Sequence, residues 1–511
     1  MASVLKSIGI KGLEAYLIDV EVSVYGGVAM TSIVGLGDTA VKEAAERMES
    51  CLVGLDLEYP KKRIVINLSP SEVKKSGTYF ELPMILGILL ESEQVIPEDI
   101  IMDEYLFLGE LSLNGELRGF RGVLPMIIAA KSSGYHKIVL PTSCLKEASL
   151  VKGMEFFPFD SVHQVMSFIE KRIPRKPAVV DSAVEQKVVS NLDFADVYGH
   201  KDVMKYIMAA AAGNHNLLLV GAPGCGKSMI AKRMPTILPE MTEEEILEIT
   251  SIYSICGQLK ENRLITQRPF RAPHYNASSN ALIGGGVNAM PGEISMAHHG
   301  ILFLDEFPEF SRTTLEALRQ PLEDRAVTIS RVKHTNIFPA NFQLVAAMNP
   351  CPCGNHGSGH CTCSPFEIKR YTQRISGPIM DRIDIQKYMG KVNPFQSEPY
   401  ESNWNSGEMR EAVSKARQIQ LKRFSHVPGI RANGEMDSTH IKEFCPLDSE
   451  CSRLLQQSYE KFQFSARTHH KIIKIARTFA DLDESPEIRR NHMVSALMSR
   501  DLDKDKTTLL V

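Results

Sequence analysis

A glycine-rich segment ending in lysine and serine is the clearest place for chemistry in this sequence. Its letters GAPGCGKS fit G-x-x-x-x-G-K-[ST], the pattern of a phosphate-binding loop between a strand and a helix. The apolar run LLLV precedes it and MIAKRMPTIL, which can form a helix, follows it, so the context favours this loop over a chance glycine-rich turn. Its backbone N–H groups would face phosphates, its lysine would reach the β- and γ-phosphates, and its serine would bind Mg²⁺. The loop comprises Gly221, Ala222, Pro223, Gly224, Cys225, Gly226, Lys227 and Ser228.

Two further apolar runs end in polar side chains that belong at the same place. GILFLDEF ends in Asp305 and Glu306, and LVAAMNP ends in Asn349. Ligands of open parallel sheets bind at the carboxyl ends of the strands, so we expect these side chains beside the phosphate loop. Asp305 would hold Mg²⁺, directly or through water, Glu306 would be the general base, and Asn349 would orient water or the γ-phosphate. The alternatives without a function are a solvated strand end for Asp305 and Glu306 and an Asn-Pro turn for Asn349. Together the motifs predict hydrolysis of ATP with Mg²⁺.

Four cysteines lie within thirteen residues directly after Asn349, in CPCGNHGSGHCTC. Four thiolates can hold Zn²⁺ tetrahedrally, although C-x-C is tighter than the usual spacing. The alternative is a reduced, thiol-rich loop or a redox pair. A zinc site here would brace a loop near the nucleotide. The candidate ligands are Cys351, Cys353, Cys361 and Cys363, with His356 and His360 as spares.

The surrounding pattern predicts a multidomain α/β protein. Residues 1–170 alternate β-rich runs with amphipathic helical segments, and 171–190 lack an apolar period, which is typical of a linker. Residues 191–395 alternate short apolar strands with helices and predict a P-loop NTPase core with a central parallel sheet, which contains the cysteine cluster. Residues 396–511 are almost wholly helical and predict a third domain.

The amino-acid composition excludes several classes of protein. The 511 residues are 43% hydrophobic and 23% charged, as in ordinary globular proteins, and 58 basic against 61 acidic residues give a net charge of -3. No global basic field indicates nucleic-acid binding, so any such contact must be local. The sequence has no apolar stretch of about 18 residues and no signal peptide, so we expect a cytoplasmic protein without a membrane partner.

Several longer segments carry a resemblance to a known family. RPFRAPHYNASSNALIGGG, PGEISMAHHGILFLDEF, RQPLEDRAVTISR, AMNPCPCG and SGPIMDRIDI make the chain similar to the YifB/ComM family of magnesium-chelatase-like AAA+ ATPases. The resemblance implies an AAA+ core with magnesium-chelatase-type insertions, a helical lid of that type, and a hexameric ring in which an arginine completes the neighbour's site. Arg382 matches the position of the family's arginine finger, and Arg467 matches the sensor-2 arginine of the helical lid. Arg382 could equally form a local ion pair with an adjacent acidic residue.

The N-terminal region resembles the Lon-protease-like domain fused to these motors, a ribosomal-S5-like α/β fold. NLSPSEVKKSGTYFELPMILGIL and GELSLNGELRGFRGVLP carry this resemblance. The nucleophile region reads GTYFELP, without serine, and Leu124 stands at the position of the lysine base. Without these groups amide hydrolysis cannot proceed, so we expect a domain used for assembly or for binding a protein partner.

Two functions fit these observations. A hairpin predicted around AVTISRVKHTNIFP would carry Arg331, Lys333 and His334 near its tip, where a ring could grip DNA phosphates, although a charged hairpin is usually just a solvated face. The resemblance favours a DNA-remodelling motor, a branch-migration helicase for transforming or recombining DNA. The alternative is a chelatase-type ATPase chaperone that remodels a protein partner. Chelatase motors are not expected to carry the Lon-like domain, which favours the first function.

Overall fold

The computed structural model describes residues 2–172, 176–178, 191–259, 263–286, 289–331, 334–357, 359–390 and 404–502. The described residues form two compact units, one within 1–186 and 246–265 and the other within 187–245 and 266–511. Most of the predicted linker 171–190, and the predicted boundary at 395/396, lie outside the described residues. Among the residues that are described, no helix is both long and apolar enough to cross a bilayer.

The first unit is built on a mixed seven-stranded sheet. The strands of the whole unit are β1 (Ser3–Lys11), β2 (Glu14–Tyr25), β3 (Met30–Val34), β4 (Arg63–Ser69), β5 (Tyr105–Phe107), β6 (Glu110–Leu111), β7 (Leu117–Arg118), β8 (Lys137–Pro141) and β9 (Glu155–Phe159). Its helices are α1 (Thr39–Gly54), α2 (Glu81–Glu91), α3 (Val123–Ser132), α4 (Leu145–Ala148) and α5 (Val162–Ile169). The order is β3-β4-β2-β1-β5-β8-β9, with β6 and β7 forming a separate hairpin. Strand β1 is antiparallel to β2 and parallel to β5. The alternation predicted for residues 1–170 is therefore present.

The second unit contains a five-stranded parallel sheet with helices around it. Its helices are α6 (Lys201–Gly213), α7 (Lys227–Arg233), α8 (Glu243–Cys256, which the first unit shares from residue 246), α9 (Ser279–Ile283), α10 (Glu293–Met296), α11 (Arg312–Glu316), α12 (Arg319–Asp324), α13 (Pro365–Thr372), α14 (Gly377–Met380), α15 (Ser406–Arg423), α16 (Ser438–Phe444), α17 (Ser449–Phe462), α18 (Ala466–Leu482) and α19 (Arg490–Leu497). Its strands are β10 (Leu217–Gly221), β11 (Phe270–Arg271), β12 (Gly284–Gly285), β13 (Met290–Pro291), β14 (Ile301–Leu304), β15 (Ala326–Arg331), β16 (His334–Pro339), β17 (Gln343–Met348) and β18 (Ile385–Met389).

The order of the parallel sheet is β11-β14-β17-β10-β18. Strands β10, β14 and β17 are buried along their whole length, as expected of a parallel sheet covered on both faces, and this explains why the sequence shows continuous apolar runs. Strands β15 and β16 form the antiparallel hairpin that the sequence predicts. Lys333 lies outside the described residues, and so do the side chains of Arg331 and His334.

The two compact units group some segments differently from the three domains that the sequence predicts, and those three domains stay a prediction. The helices from α15 onward share one hydrophobic core with the sheet of the second unit, since buried side chains such as Leu219, Val413 and Ile475 belong to the same cluster. Residues 246–265, which the sequence places in the ATPase core, belong to the first unit. There the Ser254 hydroxyl donates to the Glu147 carboxylate. The sequence does not reveal that most of helix α8 belongs to the first unit.

Candidate nucleotide site

The carboxyl edge of the parallel sheet brings the predicted residues together. Val220 of β10 pairs with Met348 of β17, so Gly221 and Asn349 follow on neighbouring strands at the same level. On the other side of β17, Leu304 of β14 pairs with Ala346, which places Asp305 at this edge too. Ends of three parallel strands thus form one site, as the sequence predicts from the direction of the strands.

The segment from Gly221 to Ser228 adopts a tight turn that leads into helix α7. A Cβ atom on Gly221 would lie 2.6 Å from the Cys225 sulfur and 2.7 Å from the Met389 carbonyl oxygen, so only glycine fits there. Gly226 has φ +93°, in the left-handed region that favours glycine, and directly precedes the helix. The loop therefore turns sharply from β10 into α7, which is the context that phosphate binding requires.

Lys227 lies at the centre of this loop and is mostly buried. Its Nζ donates to the carbonyl oxygens of Gly221 at 2.6 Å and Ala222 at 3.1 Å, and to Asn349 Oδ1 at 3.2 Å. The ammonium group is therefore held between the phosphate loop and the tip of β17. A buried ammonium with oxygen partners on both sides is suited to a phosphate that approaches the same point.

Ser228 and Asp305 form the second contact of the site. The Ser228 hydroxyl donates to Asp305 Oδ2 at 2.7 Å across 77 residues of sequence. Both groups present oxygen atoms, one neutral and one anionic, and Mg²⁺ prefers such hard ligands together with phosphate oxygens and water. The donor set therefore fits the metal that the sequence predicts at this pair.

Glu306 occupies a strained turn directly after β14. Its φ is +51°, uncommon for a residue with a side chain, and its backbone N–H donates to Asp305 Oδ1 at 2.9 Å. The turn is closed by a hydrogen bond from the Glu309 N–H to the Glu306 carbonyl at 2.7 Å and anchored by the fully buried Phe307. The Glu306 side chain is exposed, so water has access to its carboxylate. Strained backbone of this kind clusters at functional sites.

The two predicted arginines lie at the opposite edge of the sheet. The Arg382 carbonyl accepts from the Asn216 side chain at 2.9 Å, and Asn216 directly precedes β10. The five residue-to-residue steps from Asn216 to Gly221 span about 16 Å of strand, which is more than an arginine side chain can bridge. The structure therefore does not bring Arg382 to the phosphate loop of its own chain.

Arg467 joins Arg382 on a single carboxylate. The Arg467 Nη2 donates to Glu323 at 3.3 Å, and the Arg382 Nη2 donates to the other oxygen of the same group. Four residues after Arg467 on helix α18, Lys471 pairs with Asp384 at 3.0 Å. Helix α18 is thus attached to the amino end of β18. Glu323 was not among the residues predicted from the sequence.

The four cysteines form one cluster of sulfur atoms. Cys351 lies 3.3 Å from Cys353 and 3.7 Å from Cys361, Cys353 lies 3.7 Å from Cys361, and the Cys363 sulfur is within 4.8 Å of each of the others. A tetrahedral Zn²⁺ with Zn–S bonds of about 2.3 Å separates its sulfurs by about 3.8 Å. These distances are close to that spacing. The two spare histidines are exposed and do not belong to this cluster.

Comparison with known proteins agrees with these motifs. Residues 193–396 match the family described as magnesium chelatase, subunit ChlI, and residues 403–500 match its C-terminal region. The competence protein ComM of Haemophilus influenzae is 39% identical over 496 residues, which cover 95% of each chain. The protein YifB of Escherichia coli is 38% identical over 495 residues, 96% of each chain. The chain belongs to the YifB/ComM family of magnesium-chelatase-like AAA+ ATPases. Because this is a family of AAA+ ATPases, ATP and Mg²⁺ are the ligands that fit the nucleotide site.

Membership of the YifB/ComM family extends to the first unit. Residues 20–144 match the family described as subunit ChlI of magnesium chelatase. The description of that family is at odds with the expectation that chelatase-related motors lack this region. Leu124 is fully buried, and the Tyr79 hydroxyl accepts from the Ile10 N–H at 3.2 Å within the core. The segment compared with a protease nucleophile thus forms part of the packing in this YifB/ComM chain.

Two residues that support the site were missed in the sequence. His200 is buried and its Nε2 donates to the Cys225 carbonyl at 2.9 Å, while burial lowers its pKa and keeps the ring neutral. The Tyr371 hydroxyl, on helix α13, hydrogen bonds with the backbone of Asn349. A lone histidine or tyrosine in a helical segment gives no sign of such contacts, because the partners are 25 and 22 residues away.

Proposed function

We propose that the chain works as a hexameric ring ATPase in which the catalytic site lies between neighbouring subunits. The observation that carries this proposal is the position of Arg382 at the sheet edge opposite its own phosphate loop. An arginine finger must reach the γ-phosphate, so Arg382 can act only on a nucleotide held by another subunit. Arg467 shares a carboxylate with Arg382 and would act in the same direction.

The contact of Arg467 with Glu323 is compatible with this role because it is weak. The side chains of Glu323 and Arg467 are 53% and 59% exposed, and an exposed ion pair contributes at most about 1 kcal/mol. A phosphate group carries more charge than a carboxylate and offers more acceptor oxygens, so Arg467 can exchange Glu323 for the phosphate of a neighbouring subunit at small cost. The Arg382 side chain is only 12% exposed and also donates to the Pro378 carbonyl at 2.7 Å, so its exchange requires a larger rearrangement.

In the proposed reaction each side chain has one task. Lys227 binds the β- and γ-phosphates, and Ser228 and Asp305 would hold Mg²⁺, which neutralises phosphate charge when it is bound. Glu306 accepts a proton from the attacking water, and Asn349 orients that water or the γ-phosphate. Arg382 and Arg467 stabilise the charge that develops on the transferred phosphoryl group.

We further propose that the ring remodels or translocates on DNA. The hairpin of β15 and β16 supports this proposal, because the sequence places Arg331, Lys333 and His334 at its end. The relative in Haemophilus influenzae is named a competence protein, which is compatible with a role on transforming DNA. A net charge of -3 requires that the DNA contact be local, as it would be at the end of one hairpin.

Steady-state ATPase measurements with single-stranded, duplex and branched DNA test this proposal. Because motors on DNA are commonly stimulated by their track, we expect turnover to rise several-fold with one of these DNAs. The stimulation should decline as salt rises, since phosphate contacts release counterions. Replacing Arg331 and Lys333 together with alanine should remove the stimulation. DNA would be excluded as the polymer on which the ring acts if turnover were unchanged with all three DNAs and no DNA bound at low salt.

A second function is favoured by the comparisons themselves. All three matched family regions carry the name of a magnesium chelatase subunit, so the ATPase could remodel a protein partner without any polynucleotide. The first unit would then present the surface for that partner. Stimulation of turnover by a protein and not by DNA would distinguish this function from the first.

We also propose that the four-cysteine cluster binds one Zn²⁺ per chain. The four sulfur atoms lie within 4.8 Å of one another, which is close to the spacing that a tetrahedral zinc site requires. Elemental analysis of protein purified without chelators is expected to give one zinc, and Cys361→Ser is expected to lose it. Cys256→Ser, a cysteine outside the cluster, should retain it. A chain with no metal and a disulfide between Cys351 and Cys353 would instead support the redox pair.

A further inference from the structure

The cysteine cluster lies directly against the nucleotide loop. Gly354 is buried, and a Cβ atom on it would lie 2.5 Å from Pro223 Cδ and 2.8 Å from Pro223 Cγ. Real side chains do not approach this closely, so the backbone of Gly354 is in contact with the proline ring. Pro223 is the third residue of the phosphate loop, beside the Ala222 carbonyl that accepts from Lys227 at 3.1 Å.

The two segments are joined at a second point. Asn349 accepts from Lys227 at 3.2 Å, and only Pro350 separates Asn349 from the first cysteine. The cysteine segment therefore contacts the nucleotide loop at Pro223 through Gly354 and is joined by Pro350 to Asn349, which contacts Lys227. The shape of the loop between these points depends on where Gly354 is held.

The position of Gly354 depends in turn on the cysteines. Its N–H donates to the Cys351 carbonyl at 3.0 Å, which closes a tight turn between Cys351 and Gly354. Residues 350–357 and 359–364, the described part of the segment, contain neither helix nor strand. Cys351 and Cys353 belong to this turn and come within 3.7 Å of Cys361, so a bound ion would fix the turn to the far end of the segment.

We propose that the four-cysteine segment is a metal-dependent brace of the nucleotide loop. A thiophilic divalent cation of the zinc type, held by the four cysteines, fixes Gly354 against Pro223 and thereby sets the affinity for ATP. This inference rests on the proposed functions as a nucleotide site and as a zinc site. It adds the coupling between the two, so that loss of the metal lowers nucleotide affinity before the fold is lost.

The test compares Gly354→Ala with Gly357→Ala in the full chain. Both glycines have a left-handed φ, +78° and +83°, so both variants carry the same backbone strain, but a Cβ at Gly357 has nothing within 4 Å. Binding of methylanthraniloyl-ATP with Mg²⁺ is measured beside zinc content and thermal midpoint. We expect Gly354→Ala to bind about tenfold more weakly with zinc retained, because the loop must shift to admit the methyl group. Gly357→Ala should bind within twofold of the wild type.

A second comparison protects the test against a variant that fails to fold. Removing zinc from the wild type with a chelator is expected to weaken binding of the analogue, and returning zinc should restore it. In Pro223→Ala, which lacks the ring that Gly354 touches, affinity should no longer respond to zinc. Equal affinities of Gly354→Ala and Gly357→Ala, or full affinity of the zinc-free wild type, would overturn the brace. Failure of the wild type to bind the analogue at all would instead overturn the nucleotide site, and absence of zinc would overturn the metal site.

Discussion

Replacing Arg382 with alanine is expected to reduce ATP turnover by about 10³-fold or more while leaving nucleotide binding intact. Arg382 lies about 16 Å of strand away from the phosphate loop of its own chain, so in our proposal it acts on the nucleotide of a neighbouring subunit and stabilises the charge on the transferred phosphoryl group. Turnover is measured by phosphate release, and assembly is checked by sedimentation at the same protein concentration. Arg382→Lys should remain strongly impaired, since an ammonium group lacks the planar fork of the guanidinium.

Arg490→Ala is the matched control for the Arg382 variant. Arg490 also forms an ion pair with a glutamate, Glu450 at 3.0 Å, and its side chain is 65% exposed. Its loss should change turnover less than twofold. If Arg382→Ala assembled normally and hydrolysed ATP as fast as this control, Arg382 would be a structural arginine and the finger would have to be another residue.

Replacing Glu306 with glutamine should lower turnover by about 10²- to 10⁴-fold, the usual contribution of a general base, with ATP affinity unchanged. Glutamine keeps the size of the side chain and the strained turn but cannot accept the proton of the attacking water. Lys227, Ser228 and Asp305 keep their contacts with one another, so binding of the nucleotide should persist. Single-turnover hydrolysis and equilibrium binding of methylanthraniloyl-ATP measure the two effects separately.

Glu309→Gln provides the control for the Glu306 variant. Glu309 lies in the same turn, is exposed, and pairs with Arg374 at 2.6 Å. Its carboxylate is therefore engaged in an ion pair, and its loss should reduce turnover only a few-fold. Full turnover by Glu306→Gln would show that another group activates the water, and equal losses in both variants would point to damage of the turn.

The features that could be predicted from the sequence are those set by local pattern and strand direction. Glycines at fixed spacing between a strand and a helix define the loop around Lys227, and the carboxyl ends of parallel strands must bring Asp305 and Asn349 to that loop. The hydrogen bonds from Ser228 to Asp305 and from Lys227 to Asn349 agree with this expectation. The roles of these residues in catalysis stay predictions until turnover is measured.

The features that could not be predicted depend on contacts between distant segments. Glu323 is one of many exposed glutamates, and nothing in its neighbourhood indicates that Arg382 and Arg467, 59 and 144 residues later, converge on it. Gly354 has the same residue type and left-handed φ as Gly357, and only the fold places it against Pro223. Residues 246–265, which include most of helix α8, belong to the first unit only through their tertiary contacts.

Mixing two inactive variants tests most directly whether the site is shared between subunits. Arg382→Ala keeps the phosphate loop but offers no arginine to a neighbour, whereas Lys227→Ala offers the arginine but does not hold nucleotide. If the site is shared, each variant alone is nearly inactive and mixed rings regain a substantial part of wild-type turnover. Mixed assemblies that remain as inactive as the separate variants would contradict a shared site, because that result is expected when Arg382 and Lys227 act within the same chain.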